Sequence, residues 1–275
     1  SNRMQSKPRE TNVFIADWIE GDKTEIAQPK TLKKHISYLS SDELQGRLTG
    51  SVGEKKAAAY IVKEFKSLGL KPYANKSYLQ TFNYKVKINP HSTDASSDKA
   101  NSGTNVIAFL DNKASKTIVI GAHYDHLGLN EHNHSSKPNS HGEIHNGADD
   151  NASGVAAVLE LARMYSQNKT KENVNYIFAL FSGEEDGLIG SKHMAESLKN
   201  LYPNVITMIN LDMIGRLDKD KSLTVGGIGT AAQFSTIVTK NKPAGFNVTL
   251  DNTGQGPSDH TSFYLKNIPV LFFFT

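Results

Sequence analysis

The sequence predicts an α/β fold built around a largely parallel central sheet. Three observations lead to this prediction: short apolar runs typical of buried strands, amphipathic segments with a helical period, and a spacing at which the two alternate. The chain has 275 residues, of which 37% are hydrophobic and 21% charged. These values are typical of a globular protein that can bury a large core.

Before residue 116, the predicted helices and strands do not alternate regularly. Residues 1–29 are polar and aperiodic, and we interpret them as a loosely docked N-terminal arm. A short helix is predicted over 30–40 and a clear amphipathic helix over 53–68, with Gly69 where a helix stop belongs. The apolar face of the second helix consists of Ala58, Ile61, Val62, Phe65 and Leu68. Residues 79–110 contain two or three strand-like runs.

From residue 116 onward, strands and helices alternate. Strands are predicted over 117–121, 174–181, 205–211, 223–226, 246–251 and 268–274. Helices are predicted over 152–166, 189–199, 230–240 and 260–266. We find no internal repeat and no linker, so we predict that 30–275 forms a single domain.

Charge and composition narrow the possible functions. The formal net charge of +3 is too small to indicate a nucleic-acid partner. No apolar run reaches about 18 residues, so no membrane span is expected. The sequence contains no cysteine, which excludes disulfides and thiolate ligands. A metal site would have to use His, Asp and Glu, which suit zinc, manganese or similar ions.

Acidic and histidine residues cluster where the predicted strands end. In open α/β sheets, ligands bind beyond the carboxyl ends of the strands. Five segments place such residues there: 122–126, 147–151, 182–186, 210–212 and 256–260. One carboxylate near a helix start commonly caps the helix. Five segments at one edge would bring together carboxylates that repel one another unless cations lie among them. Two divalent ions, held by two His and three carboxylates, would meet that need if one carboxylate bridges.

These segments resemble the M28 family of co-catalytic zinc peptidases, which includes bacterial leucyl aminopeptidases. The matching stretches are GAHYDHLG (121–128), NGADDNASG (146–154), FSGEEDGLIGS (181–191), NLDMIG (210–215) and SDHTSF (258–263). The resemblance extends upstream to 43–47 and covers roughly residues 30–275. It implies a three-layer α/β/α fold with a mixed, largely parallel central sheet.

The resemblance also implies a set of metal ligands for two zinc ions. His123 and Asp212 would hold one ion, Glu185 and His260 the other, and Asp149 would bridge both. The family has a cis peptide bond just after the bridging Asp, which predicts a cis bond between Asp149 and Asp150.

The implied reaction is removal of N-terminal residues from peptides with a free amine. Glu184 would act as the general base on a zinc-activated water. Asp125 would accept a hydrogen bond from the free ring nitrogen of His123.

Two other functions remain open. Glutaminyl cyclases share this fold but use one zinc ion, and the presence of both His123 and Asp212 favours two. Some relatives became receptor ectodomains after losing their ligands, whereas this chain keeps all five and the Glu base.

The loop 126–146 contains five further histidines, His126, His132, His134, His141 and His145. We interpret most of them as solvated loop residues and expect His126 and His145 to line the cleft. The chain opens at Ser1 with no visible signal peptide and no initiator Met, so we expect a trimmed start. We also expect an exported protein that is secreted, periplasmic or on the cell surface. It ends at Thr275, whereas family members continue with pocket residues, so a short or truncated C-terminal end is expected.

Overall fold

The computed structural model describes residues 27–73, 77–86, 99–132, 134–169, 171–201 and 204–275. Most of the predicted arm, 1–26, lies outside the described residues, and the first helix already begins at Pro29. The helices are α1 (Pro29–Leu39), α2 (Val52–Ser67), α3 (Gly154–Gln167), α4 (Ile189–Leu201), α5 (Phe234–Lys240) and α6 (His260–Tyr264). The strands are β1 (Lys71–Pro72), β2 (Leu79–Val86), β3 (Lys99–Leu110), β4 (Thr117–His123), β5 (Asn175–Phe181), β6 (Val205–Leu211), β7 (Ser222–Gly226), β8 (Asn247–Leu250) and β9 (Val270–Phe274).

The strands form one mixed sheet in the order β1-β3-β5-β4-β6-β9-β7-β8, and β2 also pairs with β3. Its centre, β5-β4-β6-β9, is parallel, while β3 joins β5 and β7 joins β9 antiparallel. In register, His123 lies opposite Phe181, and Gly121 lies opposite Asn210. The carboxyl ends of β4, β5 and β6 therefore lie side by side.

Helices cover both faces of the sheet. Successive strand residues point to opposite faces, and every residue of β5 is buried. Phe178 and Leu180 pack in one core with α1, α2 and α3. Ile177 and Phe181 pack in a second core with α4 and α6. This arrangement confirms the predicted three-layer α/β/α architecture with a mixed central sheet. The single-domain interpretation of 30–275 stays a prediction.

Polar turns precede the helices α2 and α3. The hydroxyl of Ser51 caps α2 by accepting a hydrogen bond from the main-chain N–H of Glu54 at 3.1 Å. Before α3, an irregular turn over Ala148–Ser153 begins after Gly147, whose φ of 59° is a left-handed conformation that glycine adopts easily. Among the described residues, no helix is long and apolar enough to cross a membrane.

Candidate metal centre

Three of the predicted ligands lie at or shortly after the ends of adjacent parallel strands. His123 is the last residue of β4 and is only 1% exposed. Asp212 comes directly after β6, and Glu185 lies in the turn after β5. Since the ends of these strands are side by side, the three side chains reach the same cleft. The predicted positions of these residues at one sheet edge are thus found in the structure.

The carboxylate nearest to His123 belongs to Asp150. His123 Nε2 lies 3.1 Å from Asp150 Oδ1 and 3.4 Å from Asp212 Oδ1. Atoms of His123, Asp150 and Glu185 that could bind a metal ion lie within 4.8 Å of one another. The same is true of His123, Glu184 and Asp212. His123 is common to both groups, so the two are adjacent.

Asp149, the predicted bridge, points elsewhere. Its Oδ1 accepts a hydrogen bond from Gly215 N at 2.8 Å, and its main-chain oxygen accepts one from the Ser153 hydroxyl at 2.6 Å. The cis peptide bond lies between Asp150 and Asn151, so the prediction of a cis bond at Asp149–Asp150 is wrong by one residue. The sequence offered two adjacent carboxylates, and only the path of the turn distinguishes them.

Asn151 sets the path of this turn. Its side-chain amide donates to the main-chain oxygen of Leu211 at 2.9 Å, and its Oδ1 accepts from Gly154 N at 2.9 Å. The turn is thereby tied to the end of β6 and to the first residue of α3. Asp150 precedes this fixed point and faces the cleft.

The other predicted residues lie around the same cleft, whose volume is about 450 Å³. Glu185 Oε1 lies 2.6 Å from His126 Nδ1. His260, the first residue of α6, also lines the cleft, and its ring stacks on Phe272 with 4.3 Å between centroids. Glu184 also lines the cleft beside His123. A cleft of this size can hold a small substrate group.

Asp125 supports the turn after β5 more closely than it supports the ring of His123. Its Oδ1 accepts from Glu184 N at 3.3 Å, and its Oδ2 accepts from the Thr49 hydroxyl at 2.9 Å. The His123 Nδ1 atom lies 3.2 Å from the main-chain oxygen of Asp125 and 3.7 Å from its carboxylate. The predicted carboxylate hydrogen bond to His123 is thus replaced by one to the main chain.

The electrostatics of the cleft reflect an excess of negative charge. Burial by itself lowers the pKa of His123, but the carboxylates of Asp212 and Glu184 outweigh it and raise that pKa well above its ordinary value. Burial raises the pKa of Glu184, and Asp259 and Glu185 raise it further. Burial lowers the pKa of His260 to about 4, which keeps its ring neutral and able to act as a ligand.

This set of side chains fits divalent metal ions. Imidazole and carboxylate groups are ligands that zinc prefers. Among the described residues, the buried Asp212 Oδ1 and His260 Nδ1 have no hydrogen-bond partner, although both belong to the cleft wall. A cation bound to Asp212 Oδ1 would satisfy that atom and offset the carboxylate charge that raises the pKa of His123.

Arg47 is a site-supporting residue to which the sequence analysis gave no role. Its side chain is 1% exposed and donates to main-chain oxygens of Leu39, Tyr124, Asn146 and Gly147. It thus links the segment after β4 to the start of the Asp150 turn. Burial lowers its pKa to about 10, so the side chain remains charged at neutral pH. The sequence signal for this role was the position of Arg47 in the stretch 43–47, to which the family resemblance extends.

The histidines of loop 126–146 are less solvated than expected. His126 is buried against Glu185, and His132 and His134 are partly buried beside Asp186. His145 contacts the Ser140 hydroxyl at 3.2 Å and the ring of His126 edge-on. His141 is exposed, as predicted.

Comparison with known proteins identifies the family. Residues 105–275 match the model of peptidase family M28. The chain belongs to this family. A similar protein from Pyrenophora tritici-repentis, named "Probable zinc metalloprotease", is 39% identical over 106 residues, which are 38% of this chain and 22% of the fungal protein. The part of the chain that matches thus spans about a fifth of the length of that relative.

Solved structures share the M28 fold at low sequence identity. The LapA aminopeptidase of Legionella pneumophila aligns with a TM-score of 0.65 and 23% identity over 90% of this chain and 60% of its own. A glutaminyl cyclase from Fimbriiglobus ruber aligns with a TM-score of 0.69 and 20% identity over 92% of this chain and 86% of its own. The α/β/α fold is therefore shared by proteins of both named activities.

Proposed function

We propose that this M28 protein is a zinc-dependent aminopeptidase that removes N-terminal residues from peptides. The observation that carries the proposal is the convergence of His123, Asp150, Glu185, Asp212 and His260 on one cleft that also contains Glu184. The names of the zinc metalloprotease and the aminopeptidase among the similar proteins support the same activity.

We assign the ligands to two zinc ions. His123 and Asp212 would hold one, and Glu185 and His260 would hold the other. Asp150 would bridge, because its carboxylate lies close to a proposed ligand of each ion. Potential ligand atoms of His123, Asp150 and Glu185 lie within 4.8 Å of one another, and Asp150 Oδ1 is 3.1 Å from His123 Nε2. When bound, the ions would polarise the scissile carbonyl and lower the pKa of the attacking water.

Glu184 is the proposed general base. Its carboxylate would take a proton from the attacking water as the new C–O bond forms, and would return it to the amine nitrogen as the C–N bond breaks. Burial raises its pKa, which makes the carboxylate a stronger base. Asp125 holds its main-chain N–H at 3.3 Å and so positions the turn.

Hydrolysis of anilide substrates tests this function. Purified protein should release p-nitroaniline from leucine p-nitroanilide, lose that activity in chelator and regain it with added zinc. N-acetyl-leucine p-nitroanilide, which lacks the free amine, is the matched control and should remain intact. Equal cleavage of both would indicate an endopeptidase. Cyclisation of an N-terminal glutaminyl peptide without hydrolysis of either anilide would indicate a glutaminyl cyclase instead.

We also propose that the protein acts outside the cytoplasm, following the family resemblance. Fractionation of cells that express the natural gene would test this location, and recovery of the protein only from the cytosol would contradict it.

A further inference from the structure

A second cluster of metal-ligating side chains lies beside the cleft. It consists of His132, His134 and Asp186, whose donor atoms all lie within 4.8 Å of one another. The two histidines belong to loop 126–146, and Asp186 lies in the turn after β5, next to Glu185. None of the three is used in the proposed two-zinc centre.

The carboxylate of Asp186 is held in a fixed orientation. Its side chain is 3% exposed, and its Oδ2 accepts a hydrogen bond from the Tyr84 hydroxyl. The Tyr84 oxygen in turn accepts from the Asn101 side-chain amide at 2.9 Å, which leaves the phenol hydrogen for Asp186. Asp186 Oδ1 is thereby directed toward the two histidines.

The Nδ1 atom of each imidazole ring is the one nearest to Asp186 Oδ1. His132 Nδ1 lies 2.8 Å from Asp186 Oδ1, and His134 Nδ1 lies 3.7 Å from it. In a tetrahedral zinc site with bonds of about 2.0–2.1 Å, ligand atoms are about 3.3 Å apart. The two observed distances lie on either side of that value. The histidine side chains are 16% and 23% exposed, so a water molecule can reach a fourth position.

We propose that His132, His134 and Asp186 form an additional metal site for zinc or another transition ion that binds imidazole. The site joins two segments that are far apart in sequence, loop 126–146 and the turn that contains Glu184 and Glu185. That turn is closed by hydrogen bonds from Gly187 N and Leu188 N to the main-chain oxygen of Glu184, at 2.8 and 2.9 Å. A metal ion on Asp186 therefore stabilises the turn that positions the proposed base.

The substitution His134→Ala tests the site with little risk to the fold. It removes one ligand but leaves the His132–Asp186 contact and the Tyr84–Asp186 hydrogen bond in place. The matched control is His141→Ala, which removes an exposed histidine from the same loop. Each full-length protein is stripped with chelator and dialysed against a buffered free zinc concentration. Bound zinc per chain is then measured by atomic emission, and circular dichroism checks the fold.

We expect His134→Ala to bind about one zinc ion fewer than the wild type and His141→Ala to bind the same number, since each tetrahedral site holds one ion. An unchanged zinc content in folded His134→Ala would overturn the proposal and leave a hydrogen-bonded His–Asp pair. Equal losses in both variants would also overturn it, because they would indicate non-specific binding by the loop. The result is a difference between variants, so it holds whether or not the two-zinc centre is assigned correctly.

Discussion

The two sides of the cleft are built differently. On one side, His123, Glu184 and Asp212 lie at or just after the ends of three neighbouring parallel strands, whose main chains are hydrogen-bonded to one another. On the other side, Asp150 lies in an irregular turn that is held by side-chain hydrogen bonds from Asn151 and Arg47. The first side depends on the sheet as a whole, and the second depends on a few buried polar groups.

Because of this difference, we expect the strand-end residues to act in the reaction and the residues around the turn to stabilise the fold. A substitution at a strand end should change the reaction and leave the fold intact, because the strand's own hydrogen bonds remain. A substitution among the residues that hold the turn should reduce stability, because each lost partner leaves a buried polar group unpaired.

Glu184→Gln should give the largest loss of activity on the strand side. We expect kcat to fall about 10²–10⁴-fold, which is the usual contribution of a general base. The unfolding midpoint and zinc content should stay close to wild type, since Gln matches Glu in shape. Steady-state kinetics, thermal denaturation and metal analysis measure the three quantities. The control is Glu196→Gln, which changes an exposed glutamate on α4. If Glu184→Gln retained a rate close to wild type, Glu184 would not be the base.

Arg47→Met should cause the largest loss of stability on the turn side. The substitution keeps a long apolar stem but removes a buried charge and its hydrogen bonds to four main-chain oxygens. Leaving one buried acceptor without a donor typically costs about 1–3 kcal/mol, so the loss of Arg47 from several such acceptors should cost about 3 kcal/mol or more. Urea denaturation at neutral pH, where the guanidinium is protonated, measures the change in the free energy of unfolding.

The matched control for Arg47→Met is Arg216→Met, which removes an exposed arginine. Its expected effect is within about 0.5 kcal/mol of wild type. A similar small effect for Arg47→Met would show that the buried network does not hold the turn, and the comparison of the two sides would fail.

The same distinction explains what the sequence could predict. Strand-end residues such as His123 and Asp212 were placed correctly because buried apolar runs predict strands, and parallel strands end at one edge. Which of Asp149 and Asp150 reaches the cleft depends on the tertiary contacts of Asn151, which no periodic pattern encodes. The burial of His132 against Asp186 likewise joins segments 54 residues apart.

The two adjacent aspartates of the turn should respond differently to loss of their charge. Asp150→Asn replaces a carboxylate near His123 with a neutral amide of the same shape, and amides are weaker ligands for zinc. Changes even to residues that only support a ligand commonly weaken metal binding about 10–100-fold, so loss of a ligand should cost at least about 100-fold. Competition with a zinc-binding dye measures the affinity.

Asp149→Asn is the control within the same turn. Its Oδ1 can still accept the hydrogen bond from Gly215 N, so zinc affinity should change less than about threefold and stability by less than about 1 kcal/mol. The reverse result, with Asp149→Asn losing zinc and Asp150→Asn keeping it, would restore Asp149 as the bridge. It would also mean that the turn rearranges around the metal, because in the present geometry Asp149 Oδ1 is already bonded to Gly215 and only Asp150 lies within 3.1 Å of His123.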